Sequence, residues 1–171
     1  MKKTIIIVVG IVLGLTALIS TLSTKGPDTE PDRHIYTSWD TMEYDKCVAV
    51  WLISRFYDTD AKFVFCPKET AVLKGTLFDV PGANWSRQHR KCTSDCVLED
   101  IQIQDKHVEA IVRMAHNVEL NFWQLDSFPD AQSSFQEVKQ ILESADTPEQ
   151  AMDATGEYFD RVYQELKHTK G

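Results

Sequence analysis

Ten consecutive residues, Arg87-Gln88-His89-Arg90-Lys91-Cys92-Thr93-Ser94-Asp95-Cys96, concentrate the ligand chemistry of this 171-residue chain. Imidazole and thiolate suit borderline and soft metal ions, and Cys92 and Cys96 share one face if a helix starts at Thr93. His89, Cys92 and Cys96 are therefore candidate ligands for a transition-metal ion. The same segment carries Arg87, Arg90 and Lys91, and these cations beside the free amides of a helix N-terminus would suit an oxyanion. A third reading is a solvated basic loop that enters a helix, with Cys92 and Cys96 bridged or buried. His-x-x-Cys-x-x-x-Cys has little specificity by itself.

Outside this run, His107 and His116 fall at opposite ends of one predicted helix and are not a ligand pair by themselves. His116 is kept as a candidate ligand. Asp45 and Arg55 flank Trp51-Leu52-Ile53; ten positions of helix put them about 15 Å apart, so each needs a partner elsewhere. Asp45 in a first helical turn is favoured by the helix dipole, which suits a capping role. The functional alternative is that Asp45 and Arg55 border a cleft closed by the Cys92 loop. Trp51, with apolar neighbours at helical spacing, is a core residue.

The elements that must position these groups form an α+β domain, predominantly helical, with a short two-stranded element. Asp40 precedes Glu43 at a capping-type spacing, and Tyr44, Cys47, Val48, Trp51, Leu52 and Arg55 then recur on one helical face. Lys62 to Cys66 reads as a strand stopped by Pro67, Ala71 to Lys74 as a helical turn ending at Gly75, and Leu77 to Val80 as a second strand before Pro81-Gly82. Thr93 or Ser94 can cap one helix and Asp105 another, whose Val108, Ile111, Val112 and Ala115 form an apolar stripe. Glu119 to Gln132 resembles an ordered loop. Phe135, Val138, Ile141 and Leu142 mark a further helix, and Thr147-Pro148-Glu149 starts the last, with Met152, Thr155, Phe159, Val162, Tyr163 and Leu166 on its core face.

Ahead of this domain, Lys2 and Lys3 precede an apolar run from Thr4 to Leu22, about the length that crosses a bilayer as a helix. Residues 1–23 are expected to be a signal anchor, or a signal peptide if cleaved, with the lysines cytoplasmic and the domain on the periplasmic or extracytoplasmic side. Gly10 and Gly14 offer a weak packing motif for a membrane partner. Residues 24–35, with Pro27 and Pro31, read as a tether, and the domain occupies residues 36–168. The chain holds 18 Lys+Arg against 26 Asp+Glu, for a net charge of −8. Such a surface repels phosphates and excludes nucleic acid as a partner. It would also slow a dianion unless a local basic cluster reversed the field. Four cysteines, Cys47, Cys66, Cys92 and Cys96, follow the apolar run, and in an oxidising compartment an even count favours disulfides with no pairing selected. Gly26, Gly75, Gly82, Gly156 and Gly171 are too scattered for a phosphate loop, so no nucleotide cofactor is expected.

Three blocks carry a family resemblance: Asp45-Lys46 with Trp51-Leu52-Ile53-Ser54-Arg55-Phe56, then Phe78-Asp79-Val80-Pro81-Gly82, then Cys92-Thr93 with Asp95. Over roughly residues 36 to 165 the chain resembles the chromate resistance exported protein family, the C-terminal domain family of chromate-responsive ChrB-type regulators. Cys92 followed by a hydroxyl residue, Asp45, Arg55 and Asp79 match its pattern, and the resemblance implies that Asp45, Trp51, Arg55 and Asp79 are structural or line a cleft. The family commonly has a His where Arg87 stands and an acid near His116; this chain has His89 and an imidazole instead. Cys96 lies outside the pattern. The resemblance implies an exported or membrane-anchored protein of stress protection that binds or senses chromate or a metal species derived from it. A thiol- or metal-dependent redox enzyme is the alternative from another class, and a non-catalytic accessory domain of a membrane complex is a third. Reduction of chromate takes three electrons per chromium, whereas a thiol pair supplies two, which weighs against an unaided reductase.

Overall fold

The computed structural model describes residues 33–70 and 74–169. The apolar run at 4–22, the tether up to residue 32 and most of the turn at 71–74 lie outside the described residues. Among the described residues, no helix is long and apolar enough to cross a membrane.

Strand β1, Ile35–Trp39, reads Ile-Tyr-Thr-Ser-Trp, a run of residues that favour extended backbone. It pairs in parallel with β2 (Lys62–Cys66) on one side and with β3 (Thr76–Leu77) on the other, giving the order β2-β1-β3. Parallel neighbours need a crossover, and helix α1 (Tyr44–Leu52) supplies it between β1 and β2. The sheet thus has three strands where the sequence reading predicts two, and the tether ends where β1 begins. Tyr36, Thr37 and Ser38 are all buried, so β1 lacks the alternation by which a half-exposed strand is recognised. The expected strand at Leu77 to Val80 shortens to Thr76–Leu77 because Asp79 takes a left-handed conformation, φ 52°. Gly75, φ 76°, is required where the chain turns against β1: a Cβ there would stand 2.3 Å from the Ile35 carbonyl oxygen.

Every residue of α1 is buried, and its last turn widens into a π-helical segment, Ile53–Tyr57. It starts later than the Asp40 signal predicts: Glu43 is the N-cap, without a side-chain cap bond. Helices α2 (Thr93–Ile101), α3 (Lys106–Leu120), α4 (Pro129–Ser144) and α5 (Pro148–His168) pack around it, with a 3-10 segment at Phe122–Ser127 in the stretch expected to be an ordered loop. Asp105 caps α3 by accepting from His107 N, and Thr147 caps α5 by accepting from Gln150 N, each ahead of an apolar face that the core absorbs. The result is a small, mostly helical α+β domain whose core centres on Trp51, Leu52, Ile111 and Phe159.

All four cysteines are free thiols, contrary to the bridges that an even count suggests. Their surroundings explain it. Cys47 is sealed in α1, which pushes its thiol up to about 12, while Cys92 and Cys96 turn to different partners, Ser94 and Asp95 in one case and the Ser86 carbonyl in the other.

Candidate functional site

The N-terminus of α2 is where Asp45-Lys46, Asp79 and Cys92-Thr93 with Asp95, drawn from the three family blocks, meet. Asp45, in the first turn of α1, places its carboxylate against α2 and accepts from Thr93 N at 2.6 Å and Ser94 N at 2.9 Å. The next residue, Lys46, is also buried; its ammonium donates to Trp39 O at 2.8 Å and Thr41 O at 2.6 Å and pairs with Asp79 at 3.3 Å. Asp79 in turn accepts from Thr93 Oγ1 at 2.7 Å. Burial pushes the Asp79 carboxyl above the usual range, while Thr93 and Lys46 pull the other way. A buried carboxylate, a buried ammonium and a second carboxylate thus hold one helix end, each with its charge compensated. The left-handed turn at Asp79 aims that side chain.

Cys92 is the N-cap of α2, fully buried, and Asp95 occupies the third position of the helix. Asp95 Oδ2 accepts from Cys92 N at 2.9 Å, as the acid of a capping box does. It also accepts the Cys92 thiol at 3.2 Å and faces His116 Nδ1 at 2.8 Å. His116 comes from the C-terminal half of α3, which packs on α2. One ligand atom each from Cys92, Asp95 and His116 therefore lies within 4.8 Å of the others, with sulfur, oxygen and nitrogen represented. That set fits a borderline transition-metal ion, and three protein ligands leave positions for exogenous ones. Access is from the side of Asp95 and His116, whose side chains are 19% and 35% exposed. Burial, then the negative charge of Asp45, pushes the Cys92 thiol far above its ordinary value.

The remaining sequence candidates sit around this centre. Cys96, one turn on, donates to Ser86 O at 3.5 Å and stands outside the three-ligand group. His89 is exposed in the loop before α2, whose ends are bridged at Gln88 and Lys91. Arg87 donates to the Glu119 carboxylate at 3.1 Å and to the Glu119 carbonyl at 3.0 Å, Lys91 pairs with Glu99, and Arg90 is exposed. Arg55 and Trp51 are elsewhere: Arg55 makes a forked contact with Asp160 of α5, and Trp51 Nε1 donates to the same carboxylate at 2.8 Å. Asp45 lies beneath the Cys92 loop; Arg55 does not.

The model of the family described as ChrB, C-terminal domain, matches residues 36–166. The chain belongs to this family. The match runs from β1 into the last turns of α5, so it takes in every element that builds the centre, and it makes the chain a chromate-resistance-related protein. No curated protein and no solved structure matches. One residue of the three-ligand group in this ChrB-type domain was not among the candidate ligands legible in the sequence. Asp95 was legible as part of a family block, but its place between Cys92 and His116 needs the packing of α2 on α3, and Cys92 caps α2 where the sequence points to Thr93 or Ser94.

Proposed function

We propose that this ChrB-type domain protects against chromate by binding a metal cation, a reduced cationic form of chromium or another transition ion, through Cys92, Asp95 and His116. The observation that carries the reading is the convergence of a thiol, a carboxylate and an imidazole on one spot. A cation would take the place of the protons that those groups now share. A bare oxyanion is less well served at the same helix end, because Asp45 already accepts from Thr93 N and Ser94 N, and Arg87 and Lys91 already face carboxylates. Chromate would instead attach through oxygen to a metal already held there.

The state of Cys92 also favours binding over redox catalysis. A fully buried thiol whose ionisation is opposed by Asp45 is a poor electron donor until a cation displaces its proton. The apolar run at residues 4–22 supports a role at the extracytoplasmic face of a membrane, as a tethered domain.

Titration of the full chain with Co2+ tests the proposal, since a thiolate ligand gives cobalt a characteristic charge-transfer absorption. One equivalent of Co2+ with that absorption is expected, lost in Cys92→Ser and weakened in His116→Ala, while Cys96→Ser and His89→Ala retain it. Chromate should bind more tightly to the cobalt-loaded protein than to the metal-free one. Failure of Co2+ to bind, or retention of the absorption by Cys92→Ser, would sink the reading.

A further inference from the structure

A cavity opens between α1, α3 and α4, and nothing in a metal-binding role uses it. Its volume is about 490 Å³, within the range of small-molecule sites. The buried side chains of Tyr44, Val118 and Val138, from α1, α3 and α4, form its floor. Phe122, Phe135 and Leu142 extend the apolar lining; Phe122 stays 60% exposed although it meets Phe135 edge to face at 6.1 Å. An aromatic left this open beside a preformed apolar floor is surface that a ligand would cover.

The polar groups at this cavity are of one predominant sign. Glu43, Glu119 and Glu143 face it against Lys139 alone, and Lys139 and Glu143 pair at 3.7 Å. That leaves Glu43 and Glu119 as the charges offered to an occupant. Glu119 is the decisive one. Its side chain is 16% exposed and lines the cavity, and Arg87 engages its Oε2 from the far loop, which leaves Oε1 without a hydrogen bond from the described residues.

We propose that this cavity binds a small amphipathic organic cation, an apolar body ending in a protonated amine that docks on Glu119. The inference goes beyond metal binding and needs no metal. A carboxylate in a partly dry cavity holds an ammonium more strongly than a surface one does, because water competes less for both charges. Glu119 has one paired cation, Arg87, set against the negative charges of Asp45, Glu43 and Asp79. Burial, and then Asp45, with further contributions from Glu43 and Asp79, raises its carboxyl to about 7, against the pull of Arg87. An incoming cation would hold it ionised. With Glu43, Lys139 and Glu143 the other charged groups at the cavity, the binding should tighten as pH rises through about 7 and the amine, with a pKa of about 10, stays protonated.

Calorimetric titration of the metal-free full chain with phenylbutylamine, phenylbutanol and phenylbutyrate at about pH 8 tests this. The amine should bind about tenfold or more tightly than the alcohol, and the carboxylate weakest of the three. Glu119→Gln should remove the preference for the amine, and Leu142→Trp, which fills the cavity from a half-exposed position, should abolish binding of all three. Exposed Glu43→Gln, which leaves the core untouched, should weaken the amine alone. Equal affinity for the amine and the carboxylate, absence of amine binding by the folded wild type, or unchanged binding by Glu119→Gln would overturn the proposal.

Discussion

Asp45 and Thr93 stand 48 positions apart, and the Asp45 carboxylate accepts the Thr93 amide hydrogen at 2.6 Å. Its second oxygen accepts from Ser94 N, so a buried acid of α1 caps the first two amides of α2, which the capping box of Cys92 and Asp95 leaves open. An N-terminal cap from another element fixes both the position and the direction of α2, and with it Cys92 and Asp95. Asp45→Ala would leave two buried amides without acceptors and should cost about 2–4 kcal/mol in urea unfolding. Asp45→Asn keeps one carbonyl acceptor and should cost about half as much. Equal unfolding midpoints for wild type and Asp45→Ala would show that the contact contributes nothing to stability.

Glu119 gives the domain a distinctive pH dependence. An acid whose folded value, about 7, exceeds its ordinary 4.5 takes up a proton on folding between those values, so its contribution to stability falls as pH rises through that window. Glu119→Gln should therefore be more stable than wild type above neutrality, by about 1–3 kcal/mol, and the gain should fade as the pH drops toward the ordinary carboxyl value. Asp105 acts in the opposite sense. Burial works against its ionisation, but hydrogen bonds from Tyr163 and His107 hold it at about 2. Its contribution is present above the ordinary 3.8 and lost as pH falls through about 2. Thermal melts across pH separate the two: Asp105→Asn should flatten the acid limb, and Glu119→Gln the slope between weakly acidic and neutral pH.

Gly75 makes the attachment of β3 to β1 sensitive to a single carbon. At φ 76° and with the Ile35 carbonyl oxygen 2.3 Å from where a Cβ would stand, alanine cannot be accommodated without moving the strand. Gly75→Ala should cost about 2–4 kcal/mol, from left-handed strain together with the contact. Amide hydrogen exchange at Leu77 and Phe78, which donates to Thr37 O at 3.1 Å, should rise before that of α5. Wild-type exchange at Phe78 in the variant would contradict this assignment of strain.

Helices α3 and α5 were legible because each has a partly exposed face and a recognisable start, at Asp105 and at Thr147-Pro148, whereas α1 is buried throughout and α2 is capped by Cys92 rather than by Thr93 or Ser94. What was not legible shares a physical cause: it is set by contacts across the chain. β1 has no alternation because both its faces are covered. α1 looked amphipathic from its Trp51 face, yet it is buried on every side. At the centre, Cys92 and His116 each carried recognisable ligand chemistry, but only the packing of α3 on α2 brings them together, and it brings Asp95 rather than Cys96. The thiol that a loop reading would pair with Cys92 is instead turned to the Ser86 carbonyl.

Asp95 and His116 separate a metal centre from a hydrogen-bond network that only holds the fold. Asp95 serves both functions, as acceptor for Cys92 N in the first turn of α2 and as one of the three converging ligand groups. His116 presents a side chain 35% exposed on α3 and contacts the cluster through one nitrogen. Asp95→Asn should therefore lower the stability of the metal-free protein by about 1–2 kcal/mol and also weaken Co2+ binding. His116→Ala should weaken Co2+ binding by about a hundredfold while changing metal-free stability by less than about 1 kcal/mol, since little packing is lost with a half-exposed ring. Unfolding in chelator and cobalt titration of the same two variants check this. If His116→Ala destabilises the metal-free protein as much as Asp95→Asn does, the ring is there to complete the cap of α2, and its approach to Cys92 has a structural cause rather than a ligand role.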